Sequence, residues 1–371
     1  MSAKYMEKFR PDSLTLQWHI TERCPWRCKH CYQESYTTPE MKLDELFAVR
    51  DQFLELLDSF DPPLKKGHIN ITGGEPFVRT DILEFLAGIA KYKDRWTWSL
   101  LSNGAFLNKE NVKYVAALGI NGFQVSMEGM EEQNDAIRGK DAFRKTVNAL
   151  KLLVEAGIGT RVSLTLTRKN KDEIFKMAVF LSGLGVRRLG VRRVVPWGNG
   201  EGMREFMPEP EELQRLYEEI ERTNAWLIDH GHFLRVGGGC ESGFFYDKVK
   251  SHPKTGEPLM TRNRCGVKDG RIIVVMPDGA VFPCRRFPIP LGKLSERSLA
   301  DIYNSPIMSG FRNFETDPAL SDCRKCVNWK NCFGGALCVN YGFAGKWKMP
   351  DVQCDRAFHS LEEAAKFAKT I

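Results

Sequence analysis

The sequence contains no apolar run approaching the roughly 18 residues that cross a bilayer. Met1 to Arg10 (MSAKYMEKFR) has no apolar core ahead of a small-residue cleavage site. Membrane insertion and secretion are therefore not expected, and a cytoplasmic location is. There is no internal repeat, no low-complexity stretch and no tail of one charge sign. With 42% hydrophobic and 27% charged residues in 371, the composition excludes disordered, collagenous and coiled-coil classes. That length allows two domains of roughly 150 residues, or one large barrel with an appendage.

What is abundant is cysteine. Eleven thiols in a chain with no secretion signal read as metal ligands or redox groups, because cytosolic thiols are kept reduced. Fifty-four Lys plus Arg against 47 Asp plus Glu leave a net charge of +7 spread along the chain. That excess suits an anionic ligand, and nucleic acid is not an expected partner.

Between residues 14 and 229, short β-branched or apolar runs alternate with longer stretches of helical periodicity. Strands are expected at Leu14 to Ile20, His68 to Thr72, Trp96 to Leu101, Gly122 to Met127, Thr160 to Leu166 and Leu189 to Val195. Each is followed by an expected helix, at about 40 to 59, 81 to 92, 109 to 118, 142 to 156, 172 to 184 and 209 to 229. The first helix carries Leu43, Leu46, Phe47, Phe53, Leu54 and Leu57 on one side, with Pro39 in its first turn, where a missing N–H costs nothing. Gly119, Gly157 and Gly185 each follow a helical stretch, where a left-handed residue closes it. Six such units build a parallel sheet, either open and doubly wound or an incomplete barrel. Both collect ligands beyond the carboxyl ends of the strands.

After about residue 232 helical periodicity lapses, Gly237-Gly238-Gly239 intervenes, and eight of the eleven cysteines lie between Cys240 and Cys354. Arg271 to Met276 and Ala280 to Pro283 read as a hairpin around Pro277-Asp278-Gly279. Residues 1–232 are thus expected to form the barrel, and 233–371 a small second domain held together by metal.

Directly after the first strand stands Cys24-x3-Cys28-x2-Cys31. Three thiolates at this spacing can converge on one face of a tight loop. A structural zinc site wants four ligands, whereas an iron–sulfur cube held by three leaves one iron free to bind something else. A zinc knuckle completed by His30 is the alternative, as are ordinary buried thiols. Arg23, Arg27 and Lys29 would offset the negative charge of a thiolate-ligated cluster.

The spacing resembles the signature of the radical S-adenosylmethionine (SAM) superfamily, whose four-iron four-sulfur (4Fe–4S) cluster sits in the loop after the first strand of a partial barrel. Other segments similar to that family follow in order at the expected strand ends: Gly73-Gly74-Glu75-Pro76, Ser102-Asn103-Gly104 and Ser126-Met127-Glu128-Gly129. The resemblance implies that Glu75 meets the methionyl ammonium, with Gly73 and Gly74 letting the backbone approach the ligand. It also implies ribose contacts from Ser102, Asn103, Ser126 and Glu128, although relatives commonly carry Asp at the last position. Arg138 resembles the arginine that pairs with the SAM carboxylate. Arg192 and Arg193 must face opposite ways on the last strand; Arg193 is expected either to line the lumen at the SAM site or to form an exposed salt bridge.

Seven more cysteines run Cys265-x13-Gly279-x4-Cys284, Cys323-x2-Cys326-x5-Cys332-x5-Cys338 and Cys354. This pattern resembles the SPASM domain, a C-terminal extension of some radical SAM enzymes that carries two auxiliary 4Fe–4S clusters. The resemblance implies that Cys265, Cys284 and Cys338 hold the first auxiliary cluster, and Cys323, Cys326, Cys332 and Cys354 the second. Relatives supply one more cysteine shortly before the position of Cys265, and Thr255 to Arg264 contains none. Either the first auxiliary cluster keeps an open iron or Cys240 joins it from 25 residues upstream. Cys240 is otherwise a free buried thiol.

The resemblances together imply an α/β fold, a partial (β/α)6 TIM-like barrel with a small C-terminal cysteine-rich auxiliary cluster domain. Three 4Fe–4S clusters are implied, one SAM-binding and two auxiliary. Such an enzyme cleaves SAM reductively to a 5′-deoxyadenosyl radical that takes a hydrogen atom from substrate, with flavodoxin or ferredoxin as reductant. SPASM enzymes mostly modify ribosomally made peptides or proteins by crosslinking, oxidation or similar steps. Arg285 stands where sulfatase-maturing relatives carry an aspartate base, which argues against that activity. Only 23 residues precede Cys24, so a peptide leader is expected to bind a separate protein or the barrel itself. The alternative substrate is a small anionic cofactor such as a haem precursor, whose propionates Arg192, Arg193, Arg285 and Arg286 would suit. The alternative of another class is a non-catalytic iron–sulfur electron carrier, which needs no SAM pocket.

Overall fold

The computed structural model describes residues 9–260, 264–313 and 317–371. The segment through residue 8 that was searched for a cleavage site lies outside them, as do Thr261 to Asn263 in the stretch before Cys265.

The six expected strands form as β1 (Thr15–His19), β2 (Gly67–Thr72), β3 (Trp96–Ser102), β4 (Gly122–Ser126), β5 (Thr160–Leu166) and β6 (Arg188–Arg193). The helices between and after them are α1 (Leu43–Asp58), α2 (Ile82–Ala90), α3 (Lys109–Ala117), α4 (Glu131–Arg138), α5 (Ala142–Glu155), α6 (Ile174–Gly183) and α7 (Pro210–Asp229). Alternation along each strand sends Trp18, Ile71, Trp98, Val125 and Leu164 to one face, where they share a buried core with Phe53, Phe85, Leu150 and Leu181 of the helices. Trp18 and Phe85 meet edge to face, centroids 5.1 Å apart. Gly119, Gly157 and Gly185 have φ of +76°, +72° and +86° and terminate α3, α5 and α6 as expected. Pro39 differs: α1 begins only at Leu43, so the proline lies in the approach to the helix. Helix α4 was not anticipated, because its eight residues are too few for a periodic apolar stripe.

The ladder continues past residue 232. Strand β7 (Arg235–Gly238) pairs parallel with β6. At the other edge β8 (Ile272–Val275) pairs parallel with β1, through Thr15 opposite Ile272 and Trp18 opposite Val275. Strands β8 and β9 (Ala280–Phe282) form the expected antiparallel hairpin, extended by β10 (Gly292–Lys293). One ten-stranded sheet in the order β10-β9-β8-β1-β2-β3-β4-β5-β6-β7 thus runs through both halves of the chain. Strand β7 escaped the sequence because half of it is glycine, a poor strand former. Its Gly238 must stay small, since an added Cβ would lie 2.9 Å from Ser242 Oγ. Because β1 to β7 are parallel, the loops after them gather at one end of the barrel.

Candidate active site and cluster sites

The loop carrying Cys24, Cys28 and Cys31 is braced from two sides. Lys29 N–H donates to Ile137 O at 3.0 Å near the end of α4, and Gly200 N–H donates to Cys31 O at 2.8 Å from the segment after β6. Asn103 Nδ2 donates to Cys24 Sγ at 3.5 Å, and Arg138 Nη1 to Cys28 Sγ at 3.9 Å. Burial pushes the Cys24 thiol up to about 11 and raises Cys28 as well, the latter opposed by Arg138. Two of the expected cations have other hydrogen-bond partners. Arg23 is half exposed and pairs with Glu40 at 2.9 Å, while Arg27 donates to the carbonyls of Cys24 and Trp26 at 2.6 and 3.0 Å. Arg138 is the guanidinium that reaches the thiols.

Glu75 lies fully buried beside that loop. It accepts from Ser102 Oγ at 2.9 and 2.8 Å, from Asn103 N–H at 2.8 Å and from Phe77 N–H at 3.2 Å. Burial nevertheless lifts its carboxyl to about 7, those donors opposing the rise. A bound ammonium would supply the positive partner that this carboxylate lacks. Gly73 and Gly74 are required for packing: a Cβ at Gly73 would lie 2.3 Å from Thr21 O, and one at Gly74 2.5 Å from Arg23 O. The turn is thereby pressed onto the base of the cysteine loop, with Gly74 N–H donating to Thr21 O and Glu75 N–H to Arg23 O, both at 2.9 Å. Pro76 is buried at the start of the short turn that follows. Ser102 thus orients Glu75.

A second carboxylate, Glu128, gathers the next set. It accepts from Arg138 Nε at 3.1 Å and again from Arg138 Nη2, from His30 Nε2 at 3.2 Å, and from Thr165 N–H at 2.6 Å. Burial would raise it, but His30 and Arg138 overcome that and hold it at about 2. Asn134 and Asn170 fix its backbone through Glu128 N–H at 3.0 Å and Glu128 O at 2.9 Å. His30 therefore belongs to this network, and its buried Nδ1 has no hydrogen-bond partner among the described residues. The guanidinium of Arg138 is already engaged by Glu128 and Cys28, so the carboxylate it meets here is this one. Ser126 closes β4 half-buried.

Arg193 departs from both expectations. Its guanidinium takes Asp351 at two points, each 2.8 Å, and Gln353 Oε1 at 3.0 Å, with both ion-pair side chains 1% exposed. It is neither at the SAM end of the lumen nor on the surface; it joins β6 to the C-terminal segment. Strand alternation could not reveal this, because Asp351 is 158 residues away in sequence.

The remaining eight thiols fall into two sets. Cys240 Sγ donates to Glu241 Oε2 at 3.4 Å, and Cys240 and Cys265 are close enough that each shifts the other, Cys240 upward and Cys265 downward. Cys284 and Cys338 share their surroundings: burial raises both thiols, and Cys240 is a charged neighbour of each. Separately, burial raises Cys323, Cys332 and Cys354 to about 12, with Cys323 feeling Cys354 and Cys326, and Cys354 feeling Cys332. Among the described residues no group of three His, Cys, Asp or Glu side chains is set to hold a single metal ion. Each set also has a cation. Arg286 lies by Cys338, Cys240 and Cys284, Lys268 by Cys332 and Cys323, and Arg356 Nη1 donates to Cys326 Sγ at 3.6 Å. Sequence reasoning named Arg286 only as a partner for propionates and missed Lys268 and Arg356, although all three stand two or three residues after a cysteine. A donor set of thiols flanked by guanidinium and ammonium groups fits anionic iron–sulfur clusters.

Between the sets, Arg285 Nη2 reaches Glu22 Oε1 at 3.4 Å, and its guanidinium carbon lies 5.1 Å from the Tyr32 ring centroid. Glu22 precedes Cys24 by two residues, Tyr32 follows Cys31, and Arg285 follows Cys284.

Comparison with known proteins agrees with this arrangement. The family model of the radical SAM superfamily matches residues 18–181, and that of the SPASM iron–sulfur cluster-binding domain matches 265–327. The mycofactocin maturase MftC of Mycolicibacterium smegmatis is 26% identical over 352 residues, covering 92% of this chain and 82% of that protein. The AdoMet-dependent heme synthase of Nitratidesulfovibrio vulgaris is 24% identical over 363 residues, covering 94% of each. The crystal structure of Streptococcus suis SuiB bound to precursor peptide SuiA shares the fold, with a TM-score of 0.71 at 19% identity over 92% of this chain and 76% of that one. The chain thus belongs to the radical SAM superfamily and carries a C-terminal SPASM domain, an enzyme whose cofactors are 4Fe–4S clusters and S-adenosylmethionine.

Proposed function

We propose that the chain modifies a ribosomally made peptide by radical chemistry at the mouth of the barrel. The observation that carries this is the division of eleven thiols into one set of three beside Glu75 and two sets of four. When bound, the SAM-binding cluster supplies the electron that cleaves SAM to methionine and a 5′-deoxyadenosyl radical. Cys24, Cys28 and Cys31 hold that cluster and leave one iron open. Glu75 accepts from the SAM ammonium, held in place by Ser102 and Asn103, while Glu128 orients Arg138 and His30 against the cysteine loop. Cys240, Cys265, Cys284 and Cys338 hold one auxiliary cluster, and Cys323, Cys326, Cys332 and Cys354 the other. Membership of Cys240 is supported by its nearness to Cys265, Cys284 and Cys338, each of which it influences.

A peptide substrate is supported by the maturase relatives and by the peptide-bound relative of the same fold. A reductant of the flavodoxin or ferredoxin type, a separate leader-binding protein and a cytoplasmic setting complete the proposal. No helix among the described residues is long and apolar enough to cross a membrane. A tetrapyrrole propionate is the second reading, favoured by the similarity to heme synthases and by Arg192, Arg285 and Arg286 near the mouth. An electron carrier has no use for the buried Glu75 carboxylate. Anaerobic reconstitution should give about twelve irons per chain, three cubes of four, and dithionite-driven 5′-deoxyadenosine that requires SAM. Cys24→Ala, Cys28→Ala and Cys31→Ala should each abolish that cleavage, and its retention in any of them overturns the assignment. Cys354→Ala should keep uncoupled cleavage and stop product formation.

A further inference from the structure

The face of the barrel strands opposite the apolar core is lined by polar side chains. On β5 and β6 the inward positions pair as Arg161 with Arg188, Ser163 with Gly190, and Thr165 with Arg192. The middle pair leaves a gap between arginines, since a Cβ added at Gly190 would meet nothing nearer than Val162 O at 3.7 Å.

Arg161 has no acidic partner among the described residues. Its Nη2 lies 3.5 Å from both Asn70 Oδ1 and Ser99 Oγ, at the limit of a hydrogen bond, and its Nε is buried with no partner. Burial and the charges of Arg192 and Arg188 all press its pKa down. Among the described residues Arg192 makes one 3.4 Å ion-pair contact, with Glu241, which supports its charge together with Cys240; that carboxylate also takes Arg286 at 2.9 Å and Arg193 N–H at 2.9 Å. The Arg192 side chain is 42% exposed on the inward face of β6. An uncompensated guanidinium in a protein interior is costly to keep charged, and a fork of N–H donors matches a carboxylate in geometry.

We propose that the barrel lumen holds a binding site for a carboxylate of the substrate, seated over Ser163 and Gly190 between Arg161 and Arg192. The inference rests on the radical SAM reading for the word substrate, but the site stands on its own geometry. The carboxylate belongs either to an acidic side chain of the peptide or to a propionate of a tetrapyrrole, and the anchored group fixes which atom is presented at the mouth of the barrel.

The test uses reconstituted, SAM-loaded wild-type enzyme and two probes, N-acetylglutamate methylamide and its uncharged glutamine counterpart, read by calorimetric titration and thermal midpoint. The glutamate probe should bind and raise the midpoint, and the glutamine probe should do neither. Arg161→Gln and Arg192→Gln should each weaken binding by about tenfold or more, the loss of one charge-assisted contact, with Arg161→Lys retaining part of it. The ligand-free Arg161→Gln protein should melt higher than wild type, because it sheds an unneutralised charge. A porphyrin tetrapropionate in place of the glutamate probe separates the two carboxylate sources: arginine-dependent binding of the porphyrin alone assigns the site to a tetrapyrrole. Equal binding of the two amino-acid probes, undiminished binding by Arg161→Gln, or a lower melting point for that ligand-free variant would each overturn the proposal. SAM-dependent 5′-deoxyadenosine from wild-type enzyme reports on the radical reading separately, so failure of one is not mistaken for failure of the other.

Discussion

Arg193 and Asp351 form a two-point ion pair, both contacts 2.8 Å and both side chains 1% exposed, between the last residue of β6 and the segment that leads to Cys354. Asp351 also accepts from Ala336 N–H at 2.8 Å and Gln353 N–H at 3.0 Å, so one carboxylate organises the backbone on both sides of the second auxiliary set. Asp351→Asn leaves a buried guanidinium without its charge partner, which costs about 3–5 kcal/mol. The expected result is a lower thermal midpoint and loss of about four irons per chain, one cube, with SAM cleavage retained. Iron and sulfide quantitation beside a melting curve checks it; a full iron complement with an unchanged midpoint contradicts it.

Cys240→Ala should convert the first auxiliary cluster to one with a labile iron. Made in a background where Cys24, Cys28 and Cys31 are all replaced by Ala, which removes the other three-cysteine cluster, the variant is expected to show on mild oxidation the electron paramagnetic resonance signal of a three-iron cluster, absent from that background alone. An identical spectrum in both proteins would return Cys240 to the role of a buried thiol.

Glu75 gives SAM binding a dependence on pH. Its free carboxyl, raised by burial to about 7, must ionise to accept from the ammonium. Affinity should therefore fall below about pH 7, by up to tenfold per pH unit, and Glu75→Gln should bind weakly at every pH. In the ligand-free enzyme the sign runs the other way. A carboxyl raised above its unfolded value favours the fold when protonated, and that contribution is lost as pH rises through about 7. Calorimetric titration across that range, with melting curves lacking SAM, measures both.

Glu128→Gln removes the charge shared by Arg138 and His30. The buried pair is broken from one side, so a loss of about 3–5 kcal/mol is expected, together with a less retentive cysteine loop. The readout is faster iron release to a chelator from the three-cysteine cluster, relative to wild type; unchanged release would show that the loop is held by its backbone contacts alone.

The barrel strands were legible because alternation and β-branched residues mark them to within a residue or two, and β5 coincides with its expected range. The three-cysteine loop stood out by its spacing and Glu75 by its motif, whereas the grouping of the other cysteines came only from the family resemblance. What escaped depends on partners distant in sequence: β7, half glycine, exists as a strand because β6 is beside it, and Arg193 is an interior clamp because Asp351 arrives 158 residues later. Cys240 could be named as a candidate but not assigned, since spacing is silent about which loops converge. The cations of the auxiliary sets follow the same logic in reverse. They lay within three residues of cysteines and could have been found by asking what neutralises a thiolate cluster.

The parallel pairing of β1 with β8 has a consequence for how the protein is made. Thr15 emerges from the ribosome long before Ile272, its partner across the sheet. One edge of β1 thus stays unpaired through most of synthesis, a long-range contact of the kind that slows folding and leaves a strand edge open to association. A chain stopped at residue 232 would keep that edge bare, lacking β8, and β6 would lack β7 as well. The first strand of the barrel is therefore finished by the segment between Cys265 and Cys284, so its last edge is covered only once the cysteine-rich half of the chain has begun to arrive.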